Sequence, residues 1–120
     1  MKMCYLGSNI PQYLKEEYYD MDFYNTSPDQ FDIYKVINIY DMLIIEISSE
    51  NMENVLKWVF RLHCKKKIPI LAILIGCSNA DKIILNKFKI TDYIDIGCKP
   101  HEIKKICDTI ILRMNWKKTE

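Results

Sequence analysis

At 120 residues the chain has the length of one domain. Hydrophobic residues make up 49% and charged residues 28%, while Gly (3) and Pro (4) are scarce, which excludes collagen-like, low-complexity and disordered classes. The net charge of +1 is split, with −6 on residues 1–60 and +7 on residues 61–120; a whole-domain total this small argues against a nucleic-acid surface and for solvated helix faces.

Strands and helices alternate along the chain. Lys2 to Gly7 reads as a first strand, and Asn9 as the cap of a helix with Ile10, Tyr13, Leu14 and Tyr18 on one face. Met21 to Asn25 is a weak second strand. Ser27-Pro28 with Gln30 is a helix start signal, and Phe31, Tyr34, Ile37 and Tyr40 form the next apolar stripe. Asp41 to Ile47 is a near-continuous apolar run, as buried parallel strands are, because both their faces are covered. Met52, Val55, Leu56, Val59 and Leu62 follow helical spacing, closed by Lys65-Lys66-Lys67 at the end where cations are favourable. Ile68 to Ile75 is the fourth strand, with Pro69 tolerable at its start. Ser78 with Asp81 opens a helix whose Ala80, Ile83, Ile84 and Phe88 are expected inward. Tyr93 to Gly97 is the fifth strand. Ile103, Ile106, Cys107, Ile110, Ile111 and Met114 make the clearest amphipathic stripe, in the last helix. Residues 1–116 form the domain, and 117–120 a tail or the start of a linker.

This (βα)5 order predicts a three-layer α/β/α sandwich on a five-stranded parallel sheet, with its functional rim at the carboxyl ends of the strands. The five cysteines (4, 64, 77, 98, 107) include no C-x-x-C pair, and neither His63-Cys64 nor Cys98 with His101 finds a second pair to complete a metal set. No metal or other cofactor is expected. The longest apolar run is too short to span a bilayer and the N-terminus has too few apolar residues for a signal peptide, so the expectation is a cytoplasmic protein with no membrane contact. Trp58 is expected to pack, and the seven tyrosines before residue 41 to lie on packed stripes and strands.

Only two charged residues project at the predicted rim, Glu46 and Lys99. The five-fold alternation, the apolar run Met42-Leu43-Ile44-Ile45 entering Glu46, and Lys99-Pro100 opening the last helix resemble the receiver domain of bacterial two-component response regulators, a flavodoxin-like fold. That resemblance implies phosphoryl transfer to an aspartate after the third strand, Mg²⁺ held by acidic residues after the first, and a hydroxyl and a lysine that hold the phosphoryl oxygens. This chain departs from the pattern. The acidic pair is matched by Ser8 and Asn9, or by Gly7 and Ser8 in a register one residue away; the acceptor is Glu46; the hydroxyl position falls on Leu74, and the aromatic position on Ile96; Lys99 alone is kept. The extra methylene of Glu46 carries its carboxyl outward by about 1.5 Å, and misplacement costs on the order of a hundredfold per Å.

The expectation is therefore a degenerate receiver, not an enzyme, acting in signal transduction or transcription regulation by phosphorylation-independent contact. Glu46 either pairs with Lys99 or points to water. The resemblance places the output surface on the fourth helix, fifth strand and fifth helix, where Lys82, Lys87, Asp95, Lys104, Lys105 and Arg113 are candidate members of a homodimer interface. A DNA-binding domain beyond the C-terminus is a further implied partner. Three other readings compete. One is a phosphorylatable receiver with an unusual acceptor. Another is a phosphocarrier resembling the sugar-phosphotransferase B components, with Cys4 as its nucleophile. The third, nucleotide binding, has no G-x-G-x-x-G or P-loop to support it.

Overall fold

A computed structural model of the chain describes residues 1–119, with side chains through Trp116. Its elements are β1 (Met3–Leu6), α1 (Gln12–Glu17), β2 (Asp22–Tyr24), a 3-10 turn (Pro28–Gln30), α2 (Ile33–Ile39), β3 (Met42–Ser48), α3 (Met52–Lys65), β4 (Ile70–Ile75), α4 (Asn79–Lys87), β5 (Asp92–Asp95) and α5 (Pro100–Thr119). All strand pairs are parallel, in the order β2-β1-β3-β4-β5, so the predicted five-stranded sheet and flavodoxin-like fold are found.

Side-chain alternation sorts the strands into two cores. Leu6, Leu43, Ile45, Ile47, Ala72 and Leu74 pack toward α2, α3 and α4. Tyr5, Met42, Ile44, Leu71 and Ile73 pack toward α1 and α5, where they meet Leu14, Ile103, Cys107 and Ile110. The sheet centre is apolar on both faces because both are covered. The α3 stripe is buried as its spacing predicts, and Trp58 packs beside it, its Nε1–H donating to the Phe31 carbonyl at 2.9 Å.

The differences from the sequence reading have local causes. Asn9 does not cap α1, which starts at Gln12 after Pro11; the Asn9 amide is engaged elsewhere. The Ser27-Pro28 signal produces only the 3-10 turn, in which the Ser27 hydroxyl donates to the Asp29 carboxylate. The helix itself starts at Ile33, with Asp32 accepting from the Tyr34 N–H. The buried α2 face is consequently Ile33 and Val36 followed by Tyr40, while Tyr34 is exposed. The Ser78–Asp81 capping box forms as expected, but α4 turns Leu85 and part of Phe88 inward and leaves Ala80, Ile83 and Ile84 outside. The helix α5 continues through Thr119, into the predicted tail; the side chains of 117–120 lie outside the described residues.

At the end of α4, the Ile90 N–H bonds to Leu85 O and the Lys89 N–H to Asn86 O, with Lys89 at φ 67°. This is a Schellman closure with lysine where glycine is usual, a conformation costing an L-residue about 1–2 kcal/mol.

Replacing Ile45, fully buried in the central strand, by alanine is expected to lower stability by about 2–5 kcal/mol, whereas Tyr19→Ala, at a side chain 90% exposed, changes it by less than about 0.5 kcal/mol. Urea unfolding followed by the fluorescence of buried Trp58 checks both.

Candidate functional site

The register of β1 on β3 (Tyr5↔Ile44, Leu6↔Ile45) continues to bring Gly7 beside Glu46. Paired residues of parallel strands share a face, so Tyr5, Gly7, Ile44 and Glu46 all point toward α1 and α5. Glu46 is only 4% exposed, the single charged residue among the buried side chains described.

A buried carboxylate is costly unless its oxygens find donors, and here the start of the chain supplies four. Tyr5 donates its hydroxyl to Oε2 at 2.6 Å. The Ser8 N–H reaches Oε1 at 3.2 Å, and the Asn9 N–H reaches Oε2 at 2.9 Å and Oε1 at 3.2 Å. The Asn9 side-chain amide donates to Oε1 at 3.0 Å. Successive backbone N–H groups aimed at one anion form a nest, and this nest is filled by the chain's own carboxyl. Burial, and then the adjacent Glu46, push the Tyr5 hydroxyl well above its ordinary pKa, so Tyr5 remains a donor across the physiological range. Gly7 makes the arrangement possible: a Cβ there would overlap Cδ, Cγ and Oε2 of Glu46.

Of the predicted rim residues, Ser8, Asn9 and Glu46 thus come together, and Lys99 does not join them. Lys99 is exposed, and no ion pair links it to Glu46; its backbone N–H bonds to the Glu102 carboxylate at 3.1 Å. Both sequence expectations for Glu46, the lysine pair and the solvent-facing side chain, are corrected by the same fact: the carboxyl folds back over Gly7 into the β1 loop. Leu74 is corrected too. It pairs with Ile47 and points into the opposite core; the β4 residues on the Glu46 face are Ile73 and Ile75, neither with a hydroxyl. Ile96 packs at the edge of the α1–α5 core.

Tyr5 escaped the sequence reading as a site residue, and Gly7 entered it only as the alternative-register match for the acidic pair, not for the space it leaves. The signal that could have found them is their two-residue spacing on β1, facing a lone acidic residue inside an apolar run of the neighbouring strand. Tyr13 lies close by on α1, its buried hydroxyl without a hydrogen-bond partner and, through burial first and then Cys98 and Cys107, pushed up to about 12.

The Mg²⁺ that the receiver resemblance implies does not fit these residues. A hard cation of this kind requires several oxygen ligands. Here one carboxyl is present, both its oxygens already accept hydrogen bonds, and Ser8 and Asn9 turn N–H groups rather than oxygens toward it. Among the described residues, no group of three or more His, Cys, Asp or Glu side chains converges anywhere. Cys4 is unsuited to the phosphocarrier role: it is fully buried in the middle of β1, and burial pushes its thiol up to about 12.

Of the interface candidates, Lys82 pairs with Asp95 at 3.7 Å, Lys104 with Asp108 at 2.8 Å and Arg113 with Asp92 at 2.9 Å; Lys87 and Lys105 are exposed. Arg113 and Lys87 lie toward the opposite end of the sheet from Glu46, beside the start of β5.

If Glu46 and Gly7 share one space, their substitutions couple. Gly7→Ala is expected to destabilise the native chain strongly and the Glu46→Ala background much less, with a coupling of about 1–3 kcal/mol, measured from the urea midpoints of all four proteins.

No family model matches this sequence, and no curated protein matches it either. Solved structures do. A two-component response regulator from Clostridium difficile superposes with TM-score 0.72 at 16% identity, covering 96% of this chain and 98% of its own. The N-terminal domain of the nisin resistance regulator, a lantibiotic response regulator, gives 0.70 at 17%, over 91% and 96%. A CheY-like protein from Pseudomonas aeruginosa gives 0.69 at 12%, over 91% and 98%. At such identities the likeness is one of fold: this chain has the fold of response-regulator receiver domains.

Proposed function

We propose that the chain is an atypical response-regulator receiver domain that acts in signalling, or in transcription regulation, by protein contact without phosphorylation. The observation that carries this reading is the closed rim. In-line phosphoryl transfer needs a carboxylate oxygen open to attack and a cation to neutralise charge on the transferring group. Glu46 has both oxygens occupied by Tyr5, Ser8 and Asn9, and its surroundings do not suit Mg²⁺.

With rim chemistry lost, output falls to the surface. Ile83 (61% exposed) on α4 and Leu112 (65%) on α5 are large apolar side chains left outside the core, set among ion pairs of mixed sign such as Lys82–Asp95 and Lys104–Asp108. Apolar anchors within a two-signed charge pattern suit a two-fold, self-complementary contact. The proposed assembly is a homodimer through α4, β5 and α5. A DNA-binding effector joined after α5 is consistent with it, and the receiver domain itself makes no nucleic-acid contact. No described helix is long and apolar enough to cross a membrane, and the proposed place of action is the cytoplasm.

Incubation with acetyl phosphate and Mg²⁺ is expected to leave the intact mass unchanged; a phosphoryl group added at Glu46 overturns the reading. Light scattering is expected to give twice the 14.3 kDa chain mass, and Ile83→Glu with Leu112→Glu to return it to one. A monomeric native protein sinks the dimer.

A further inference from the structure

The edge of the sheet opposite Glu46 carries a groove of about 960 Å³, between the last turns of α3, the loops entering β4 and β5, and the second half of α5. Beneath it Ile68, Ile70 and Ile110 are each under 7% exposed and belong to the packed interior, so the apolar surface open to a ligand is that of the side chains above them. Phe60, Phe88 and Met114 form its walls, and Phe60 is 62% exposed, a large aromatic surface turned to solvent beside the groove. The volume lies near the upper end of the range for small-molecule sites.

The rim of this groove is cationic. Lys67, Lys87 and Lys89 line it together with His63 and Arg113. Asp92, the one acidic lining residue among those described, is taken by Arg113 at 2.9 Å. Among the described residues Lys67, Lys87 and Lys89 have no carboxylate within ion-pair range. Three unpartnered cations around one apolar hollow repel one another and raise the local concentration of anions. Lys89 adds an independent observation. It holds the left-handed position that closes α4, at φ 67°, where glycine would relieve the backbone. A lysine kept there at a backbone cost sets a long cationic side chain at the mouth of the groove, and strain of this kind gathers at ligand sites.

We propose that this groove binds a small amphiphilic organic anion, with an extended apolar body against Phe60, Phe88 and Met114 and one acidic head, carboxylate or phosphate monoester, among Lys67, Lys87 and Lys89. Charge complementarity selects an anion, and the apolar walls of Phe60, Phe88 and Met114 select a molecule that is mostly hydrocarbon. The site is separate from Glu46 and stands independently of the proposed signalling role.

Dodecanoate and dodecyl phosphate below their micelle concentrations are the probes, with dodecylammonium as a control of equal length and opposite charge and inorganic phosphate as a head without a body. Calorimetry is expected to show saturable binding of the two anions, at least tenfold weaker binding of dodecylammonium and none of inorganic phosphate. Amide shifts are expected at residues 63–70 and 87–92. Lys67→Ala with Lys87→Ala should weaken dodecanoate about tenfold. Lys89→Gly is the sharper test: it should weaken binding severalfold while the melting temperature holds or rises, since glycine suits that φ. Equal binding of dodecanoate and dodecylammonium, shifts centred on Ile83 and Leu112 instead, or unchanged affinity in Lys89→Gly overturns the proposal. Tighter seating of an acidic amphipathic peptide, displacing dodecanoate, overturns it in favour of a protein partner.

Discussion

A carboxyl group buried without a cation is the constraint around which one end of this molecule is arranged. Glu46 lies on the central strand, 4% exposed, and its compensation comes entirely from dipoles: a phenol, two backbone N–H groups and a side-chain amide. Each donor is fixed by something else. Tyr5 is a core residue of β1; Ser8 and Asn9 are placed by the turn out of that strand; Gly7 leaves the space. Removing the carboxyl would strand the buried Tyr5 hydroxyl and leave the part-buried N–H groups of Ser8 and Asn9 without their acceptor, and this asymmetry makes such networks expensive to disturb in parts. The same bonds that make Glu46 tolerable in the interior withdraw it from chemistry, since an oxygen accepting two or three hydrogen bonds is a poor nucleophile and a crowded metal ligand.

The charge division along the chain becomes a division in space only in part. The strand order β2-β1-β3-β4-β5 puts the strands of the first forty residues on one side of β3 and the strands after residue 69 on the other. The net −6 on residues 1–60 and +7 on residues 61–120 do not simply become two sides of the sheet, since Lys66 bonds the Ile37 and Tyr40 carbonyls and Lys65 lies over the Tyr34 ring, both against α2. Lys67, Lys87 and Lys89, by contrast, gather around the starts of β4 and β5, away from the Glu46 loop. A net charge near zero conceals that separation, and the potential felt by a ligand depends on the separation rather than on the sum.

The fold was legible where burial was two-sided and periodicity long. The runs before Glu46 and through Ile75, and the stripes of α3 and α5, each permit one arrangement. The short elements were ambiguous for physical reasons. Helix α4 has apolar residues at 80, 83, 84, 85 and 88, which define overlapping faces; packing selected Leu85 and Phe88, and pattern alone could not. Capping signals were read as helix starts because Ser, Asp and Asn side chains serve turns and caps by the same hydrogen bonds. Ser27 made a 3-10 turn, Asp32 capped α2, and Asn9 turned to Glu46. At the site, the residue types at 7, 8, 9 and 46 already argued against Mg²⁺. The direction of the Glu46 side chain could not be read, because it depends on the absence of a side chain at Gly7, across a strand pair distant in sequence. Leu74 was misplaced for a related reason: a one-residue offset on a strand moves a side chain to the other face.

The closed rim also bears on whether this domain can switch. A ligand shifts a conformational equilibrium only by the difference in its affinity for the two states. On the proposed reading no phosphoryl group arrives at Glu46, so nothing at that end distinguishes one state from another. Nor is there a direct bond from Glu46 to β5 and α5 through which it could act: Lys99 is turned to solvent, and its N–H is tied to Glu102 at the start of α5. On that reading the α4–β5–α5 surface, with pairs such as Lys82–Asp95, is not switched from the rim. Control of such a surface has to come from elsewhere in the molecule. The groove at the opposite edge is lined by the end of α4, the start of β5 and the second half of α5, all three elements of that surface. A molecule seated there would touch the output elements directly, whereas one at the rim would have to reach them through Glu46 and a lysine that do not meet.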